Sequence, residues 1–248
     1  GERSSIDLDH PDLALHLHLN RGGAVLSLDG SGGSLHRRGY RAAMGAAPIK
    51  ENLAAGLIRL TGWDGTSPLV DPCCGSGILL IEAVLMALQK APGLNRSFAL
   101  EGWADFEPEL WQQEQERARH RRRRDLELPP VIGFEQDPSI ADQARANVEA
   151  AGLKDLISIH TGGFQDQPLP DGPGVLVCNP PYGQRIGDEA ELEELYRELG
   201  NYAKAKAAGW QLWLLSGNRN LTGALRLKAE RRIPVSNGGI DCRWLHYD

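Results

Sequence analysis

A chain of 248 residues, 41% hydrophobic and 24% charged, is long enough for one large domain, alone or with a small appendage. Its net charge of −6 speaks against a surface that grips nucleic acid everywhere, so any such contact must come from local basic stretches. No stretch of about 18 apolar residues occurs, so neither a membrane-spanning helix nor any membrane contact is expected.

The polar, acidic start from Gly1 to Asp12 does not read as a signal peptide, and the missing initiator methionine points to a chain cut from a longer protein. Cys73, Cys74, Cys178 and Cys242 form no CxxC pair, so neither a zinc knuckle nor a redox motif is indicated, and no metal site is expected. Free cysteines in apolar surroundings suit a reducing compartment, and the cytoplasm is the simplest one.

Leucines alternate at 13, 15, 17 and 19; Asn20-Arg21-Gly22-Gly23 follows, and alternation resumes through Leu28, which predicts a β-hairpin. His16 and His18 share its other face but have no third ligand nearby. Residues 1–46 therefore read as an N-terminal hairpin and linker, and 47–248 as the main domain. A helix is expected from Pro48 to Leu60, with Leu53, Leu57 and Leu60 on one face. A short strand at 68–71 and a helix at 78–90 come next. Residues 91–130 look like a helical insertion ending in the run RARHRRRR. Strands are then expected at 131–134, 156–160, 175–178 and 210–215, with helices at 139–151 and 188–208 between them. A closing hairpin turns at Asn237-Gly238-Gly239. Strands and helices in alternation predict an α/β fold with a doubly wound, mostly parallel sheet, whose ligands lie beyond the strand ends.

Four loops at those strand ends carry candidate chemistry. The first, Asp71-Pro-Cys-Cys-Gly-Ser-Gly77, is neither a Walker A loop nor a GxGxxG fingerprint. Small residues (Cys73, Gly75, Ser76, Gly77) before a helix N-terminus admit a ligand close to the backbone, and no lysine awaits a phosphate. S-adenosyl-L-methionine is a cofactor that fits, with Asp71 placed for its ammonium group. The second loop offers Glu135 and Gln136 to a ribose, with Asp137 as the next helix's N-cap. In the third, Phe164 is expected to stack on an adenine and Asp166 to accept from its amino group. The fourth is Asn179-Pro180-Pro181-Tyr182. Two prolines remove two N–H donors and stiffen the backbone. The Asn179 side-chain oxygen and the Pro180 carbonyl form an acceptor pair suited to an exocyclic amino group, whose lone pair must be freed from the ring before it attacks a methyl donor. Tyr182 offers a flat face for the base, which must leave its stack to arrive. These residues do not separate guanine N2 from adenine N6. Two basic stretches, with Arg37, Arg38, Tyr40 and Arg41 in one and Arg121 and Arg122 in the other, are candidate phosphate contacts.

The strings DPCCGSGILLIEA, GFEQDP, NPPYGQRIGDEAELEELYRELG, SLHRRGYRAAMGAAPIKENLAAGLI and NGGIDCRWLHY together resemble the guanine-N2 methyltransferase domain of bacterial large-subunit ribosomal RNA methyltransferases of the RlmL type. The likeness runs over nearly all of residues 6–248. It implies a class I S-adenosylmethionine-dependent methyltransferase: Rossmann-like, with a seven-stranded, mostly parallel sheet and a C-terminal β-hairpin. It also implies N2-methylguanine in 23S rRNA as product, an RNA-binding THUMP module upstream, and Pro48 to Glu51 beside the methionine moiety; a monomer is the working expectation. The chain departs from the family at Gly162-Gly163, where an acid is usual, and at Cys73. Beside this reading stand the same chemistry on tRNA guanine or on adenine N6, and a catalytically silent RNA-binding module.

Overall fold

The computed structural model describes residues 11–41, 49–182 and 189–248. In chain order its elements are β1 (Leu15–Asn20), β2 (Gly23–Leu28), α1 (Glu51–Thr61), β3 (Leu69–Asp71) and α2 (Ile78–Ala87). Next come α3 (Pro108–His120), β4 (Val131–Glu135), α4 (Pro138–Ala150), β5 (Ser158–Thr161) and β6 (Val175–Cys178). The chain ends with α5 (Glu189–Lys206), β7 (Gln211–Ser216), α6 (Arg219–Ala224), β8 (Arg231–Asn237) and β9 (Ile240–Tyr247). No helix among the described residues is long and apolar enough to cross a membrane.

Contacts divide the chain into two units: residues 1–39 with 91–122, and residues 40–90 with 123–248. The hairpin and the insertion, which the sequence treats as separate features, thus fall in one unit. Within it, β1 and β2 pair in the expected antiparallel register, Leu17 opposite Leu26. Alternation predicted the strands but not burial: Leu15, Leu17, Leu19, Leu26 and Leu28 are all more than half exposed. Arg96 ties the insertion to the loop after β2, donating to the carbonyls of Ser31, Gly33 and Ser34. Phe98 and Phe106 pack edge-on against Trp111 of α3.

The larger unit carries a seven-stranded sheet in the order β5-β4-β3-β6-β7-β9-β8. β5 through β7 are parallel; β9 runs antiparallel to both β7 and β8. The inner strands read as continuous apolar runs because helices cover both faces, and alternate residues feed two cores. Leu69, Val175, Val177, Trp213 and Leu215 join α1 and α2 on one face. Val70, Leu176, Cys178, Leu212 and Leu214 meet α5 and α6 on the other. Pro234 is tolerated because β8 is an edge strand.

Helix limits correct the sequence in three places. α1 begins at Glu51 and buries Ala54, Leu57, Ile58 and Thr61, the 3–4–7 spacing from Ala54. That turns Leu60, expected inside, out to solvent. α3 stops at His120, so Arg121 to Arg124 lie beyond the helix that was expected to contain the run. α6 was not foreseen; Asn218 caps it by accepting from the N–H groups of Asn220 and Leu221.

Candidate active site

The chain builds β3, β4 and β5 outward in one direction, then returns to place β6 beside β3 and builds outward in the other. This reversal makes the region beyond the carboxyl ends of β3 and β6 a switch point, and open α/β sheets take ligands in the crevice at such a point. Asp71 ends β3 and Asn179 follows β6, so the register that pairs Val70 with Leu176 sets the first and fourth loops side by side.

The first loop is held from three directions. Asp71 Oδ1 accepts from Cys73 N at 3.0 Å. Cys74 N donates to the carbonyl of Phe134 at 2.9 Å, and Asn147 Nδ2 of α4 donates to the Ser76 carbonyl at 3.0 Å. This approach to β4 requires Gly133: a Cβ there would lie 2.8 Å from both Cys74 Sγ and Leu80 Cδ1. Gly75 and Gly77 have φ of 52° and 80°, the left-handed region that glycine enters freely. Asp71 is 1% exposed, and burial, reinforced by the nearby Glu135 charge, pushes its carboxyl up to about 8.

Glu135 links two loops. Its Oε2 accepts from Gly75 N at 3.0 Å and its Oε1 from Asp137 N at 2.9 Å. A carboxylate has about four acceptor positions, so about two remain for ligand hydroxyls. Gln136 beside it is exposed. Asp137 caps α4 as expected, accepting from Ser139 N and Ile140 N. The third loop is tied in through Gly162 N, which donates to the Glu135 carbonyl at 2.8 Å. Nothing lies within 4 Å of where a Cβ on Gly75 would stand. Open space over a glycine, a half-buried acid one strand away and half-exposed Cys73 and Ser76 form a cradle that fits an adenosyl amino acid without a phosphate.

In the fourth loop Asn179 is half-buried, but its Oδ1 is wholly buried and has no hydrogen-bond partner. Pro180 is buried, and Pro181 and Tyr182 are half-exposed. The Tyr182 hydroxyl accepts from Asn237 Nδ2 at 2.7 Å and from the Cys242 thiol at 3.5 Å. Burial pushes its phenol up to about 12, so it stays neutral. Burial also raises the Cys74 and Cys178 thiols well above their ordinary range, so neither is a ready thiolate nucleophile.

Other expected site residues lie elsewhere. Phe164 is 2% exposed and packs edge-on against Tyr202 at 5.2 Å, so its ring belongs to the core and offers no face to an adenine. Asp166 lines an open groove of about 690 Å³ with Pro168, Pro173, Lys206 and Trp210. That groove adjoins the amino ends of β6 and β7, whereas the crevice lies at the carboxyl ends. Tyr40 is buried and donates to Glu82 Oε1 at 2.6 Å. Arg41 is 3.2 Å from the buried Glu51 and donates to the Ile49 carbonyl at 2.8 Å. These partners make Tyr40 and Arg41 internal braces, not phosphate contacts. Arg37, Arg121 and Arg122 are exposed, and Arg38 is half-exposed. Pro48 lies outside the described residues. Gly133, Asn147, Gly217 and Asn237 were not expected in the site, although the strings Ser216-Gly217-Asn218 and Asn237-Gly238 at the ends of β7 and β8 were a usable signal.

Residues 38–246 match the family described as RMKL-like, methyltransferase domain. A Marinomonas protein named ribosomal RNA large subunit methyltransferase K/L is 41% identical over 251 residues, covering 98% of this chain and 35% of that protein. Its namesake from Syntrophotalea carbinolica is 42% identical over 257 residues, covering 100% and 36%. This chain thus spans about a third of the length of these relatives. The crystal structure of SMU.472 complexed with SAH has a TM-score of 0.88 at 32% identity, covering 95% of this chain and 61% of that one. A predicted N6-adenine-specific DNA methylase from Listeria monocytogenes has a TM-score of 0.85 at 35% identity, covering 94% and 60%. The fold is that of class I S-adenosylmethionine-dependent methyltransferases, with a mostly parallel seven-stranded sheet and an antiparallel final hairpin. The chain belongs to the RMKL-like methyltransferase domain family.

Proposed function

We propose that this domain transfers a methyl group from S-adenosylmethionine to the exocyclic N2 of a guanine in 23S ribosomal RNA. One observation carries the amino-group chemistry: Asn179 Oδ1 is buried at the switch point without a donor. Leaving a buried acceptor unpaired costs about 1–3 kcal/mol. An arriving amino group repays that cost with one N–H, while its second N–H faces the Pro180 carbonyl. Held so, the nitrogen loses conjugation with its ring and turns its lone pair outward. Tyr182, neutral and half-exposed, supports the base by stacking.

Gly75, Ser76 and the first turn of α2 would hold the cofactor's amino-acid end near Asp71, and Glu135 its ribose. Bound there, S-adenosylmethionine supplies an electrophilic methyl group on a sulfonium. No strong base is needed among the residues, because the nitrogen sheds its proton after transfer. The ribosomal target rests on the relatives' name, and guanine N2 rests on the resemblance of the sequence strings given above. An upstream RNA-binding THUMP module and a cytoplasmic setting belong to the same proposal.

Nucleoside mass spectrometry on 23S rRNA incubated with and without the protein tests it. N2-methylguanosine is expected to appear. N6-methyladenosine instead would keep the amino-group mechanism and overturn the base, and methylation of tRNA alone would overturn the target.

A further inference from the structure

We infer that Asn237 is a positioning residue for the target nucleobase, acting through the ring of Tyr182. The inference rests on the amino-group reading above. β7 runs parallel to β6, so Ser216 ends at the same edge of the sheet as Asn179. β9 runs back antiparallel with Arg243 opposite Ser216, which brings the turn between β8 and β9 to that edge as well. Asn237 ends β8 there, and Ile240, half-exposed, begins β9.

Two contacts bear on the side chain of Tyr182, one from this turn and one from Gly217 after β7. The Asn237 amide, 2.7 Å from the phenol oxygen, fixes where the ring axis points. A hydrogen bond on that axis leaves the ring free to spin about it. Packing removes that freedom: a Cβ on Gly217 would lie 3.2 Å from Tyr182 Cδ2, 3.2 Å from Ile240 Cγ2 and 3.3 Å from Cys242 Sγ. The bare α-carbon of Gly217 therefore lets the ring edge approach where a Cβ would crowd Tyr182, Ile240 and Cys242 alike. Two prolines stiffen the backbone up to Tyr182 but cannot orient its side chain. A stacked base takes its plane from the ring beneath it. The plane of Tyr182 thus decides whether the amino group meets Asn179 Oδ1 or misses it.

Tritium transfer from labelled S-adenosylmethionine to a 23S rRNA transcript, with cofactor affinity measured by calorimetry, tests this. Asn237→Ala is expected to lower kcat/KM for the transcript about tenfold while leaving cofactor affinity within about twofold. Tyr182→Phe is expected to lose as much, and the double variant no more than either single one. Asn237→Asp, which can accept from the neutral phenol, is expected to recover most of the activity. Parental kcat/KM in Asn237→Ala, additive losses in the double variant, or no recovery with Asp would each overturn the inference. So would a loss of cofactor affinity that matches the loss of activity, because the turn would then be a structural support alone. A parental protein that labels no transcript overturns the ribosomal reading itself, and the inference falls with it.

Discussion

The loops after β3 and β6 lie side by side in the same crevice, and they treat their polar groups in opposite ways. The loop after β3 is bonded internally: Asp71 to Cys73 N, Gly75 N to Glu135, the Ser76 carbonyl to Asn147. The loop after β6 offers two prolines without N–H groups and one buried, unpartnered oxygen on Asn179. A cofactor therefore meets a preformed cradle, in which Asp71 and Glu135 already hold backbone N–H groups of the protein. A substrate amino group meets an unmet acceptor. Among the described residues, buried atoms without a partner occur elsewhere too, at Trp103, Trp111 and Trp244 among others, but Asn179 Oδ1 is the one that stands beside the cofactor loop.

Asn179→Ala breaks this contrast most severely. With the acceptor gone, transfer is expected to fall by about a hundredfold or more, comparable to removing one preorganised polar group in other active sites. Cofactor affinity is expected to stay within a few-fold. Thermal stability should hold or rise, because the variant deletes a buried group that had no partner. Transfer at the parental rate would end the proposed mechanism, and a marked loss of Tm would show that the oxygen is bonded after all.

Glu135→Ala should act the other way on stability. It strands the part-buried Gly75 N, while water can replace the lost bond at the exposed Asp137 N, so a loss of about 1 kcal/mol is expected in chemical denaturation. Cofactor affinity should weaken by about tenfold or more, from lost ribose bonds and a loosened first loop. Calorimetry showing parental affinity would take Glu135 out of the site. The opposite signs of the two stability changes make the sharpest test of the comparison.

What could be seen in the sequence follows the range of the interactions. Asn179-Pro180-Pro181-Tyr182 and the loop from Asp71 to Gly77 carry their chemistry in consecutive residues, so their place in the crevice follows from local pattern and crossover handedness. Asp137 as a cap is equally local. Tyr40 and Arg41 mislead because their partners, Glu82 and Glu51, are 42 and 10 residues away, and a basic-aromatic string looks alike whether braced or solvated. Phe164 and Asp166 mislead for a topological reason. The segment after β5 must travel from the carboxyl edge of the sheet to the amino end of β6, and sequence does not say how soon it leaves. The hold of Asn237 on Tyr182 spans 55 residues and depends on β9 inserting between β7 and β8. Alternation announces that final hairpin but not its place in the sheet.

Asp71 gives the contrast a pH dependence. Its carboxyl is pushed up to about 8, mainly by burial. An unfolded Asp titrates near ~3.9. Between these values the folded state binds the additional proton, so stability falls as pH rises through that window and levels off above about 8. A cationic ammonium beside Asp71 favours its ionised form, so cofactor binding at neutral pH should release a proton and weaken as pH drops below about 8. Calorimetry at pH 7 in two buffers of different ionisation enthalpy should show that release, and Asp71→Asn should abolish it. Heats independent of buffer would mean that the ammonium binds elsewhere.

The smallest effect belongs to the basic run beyond α3. Arg121 and Arg122 are exposed, just past a last turn that already carries Arg117, Arg119 and His120. Clustered cations on a chain of net charge −6 are where an RNA backbone would gain its electrostatic attraction. Replacing both with Gln should weaken RNA binding only a few-fold near physiological salt, while leaving cofactor affinity unchanged. The informative quantity is the slope of log affinity against log salt, which should flatten by about 0.7–0.9 for each phosphate no longer neutralised. A slope identical to the parent's would make the run a solvated helix end. The search for the RNA grip would then move to Arg37 and Arg38, exposed and half-exposed in the first basic stretch.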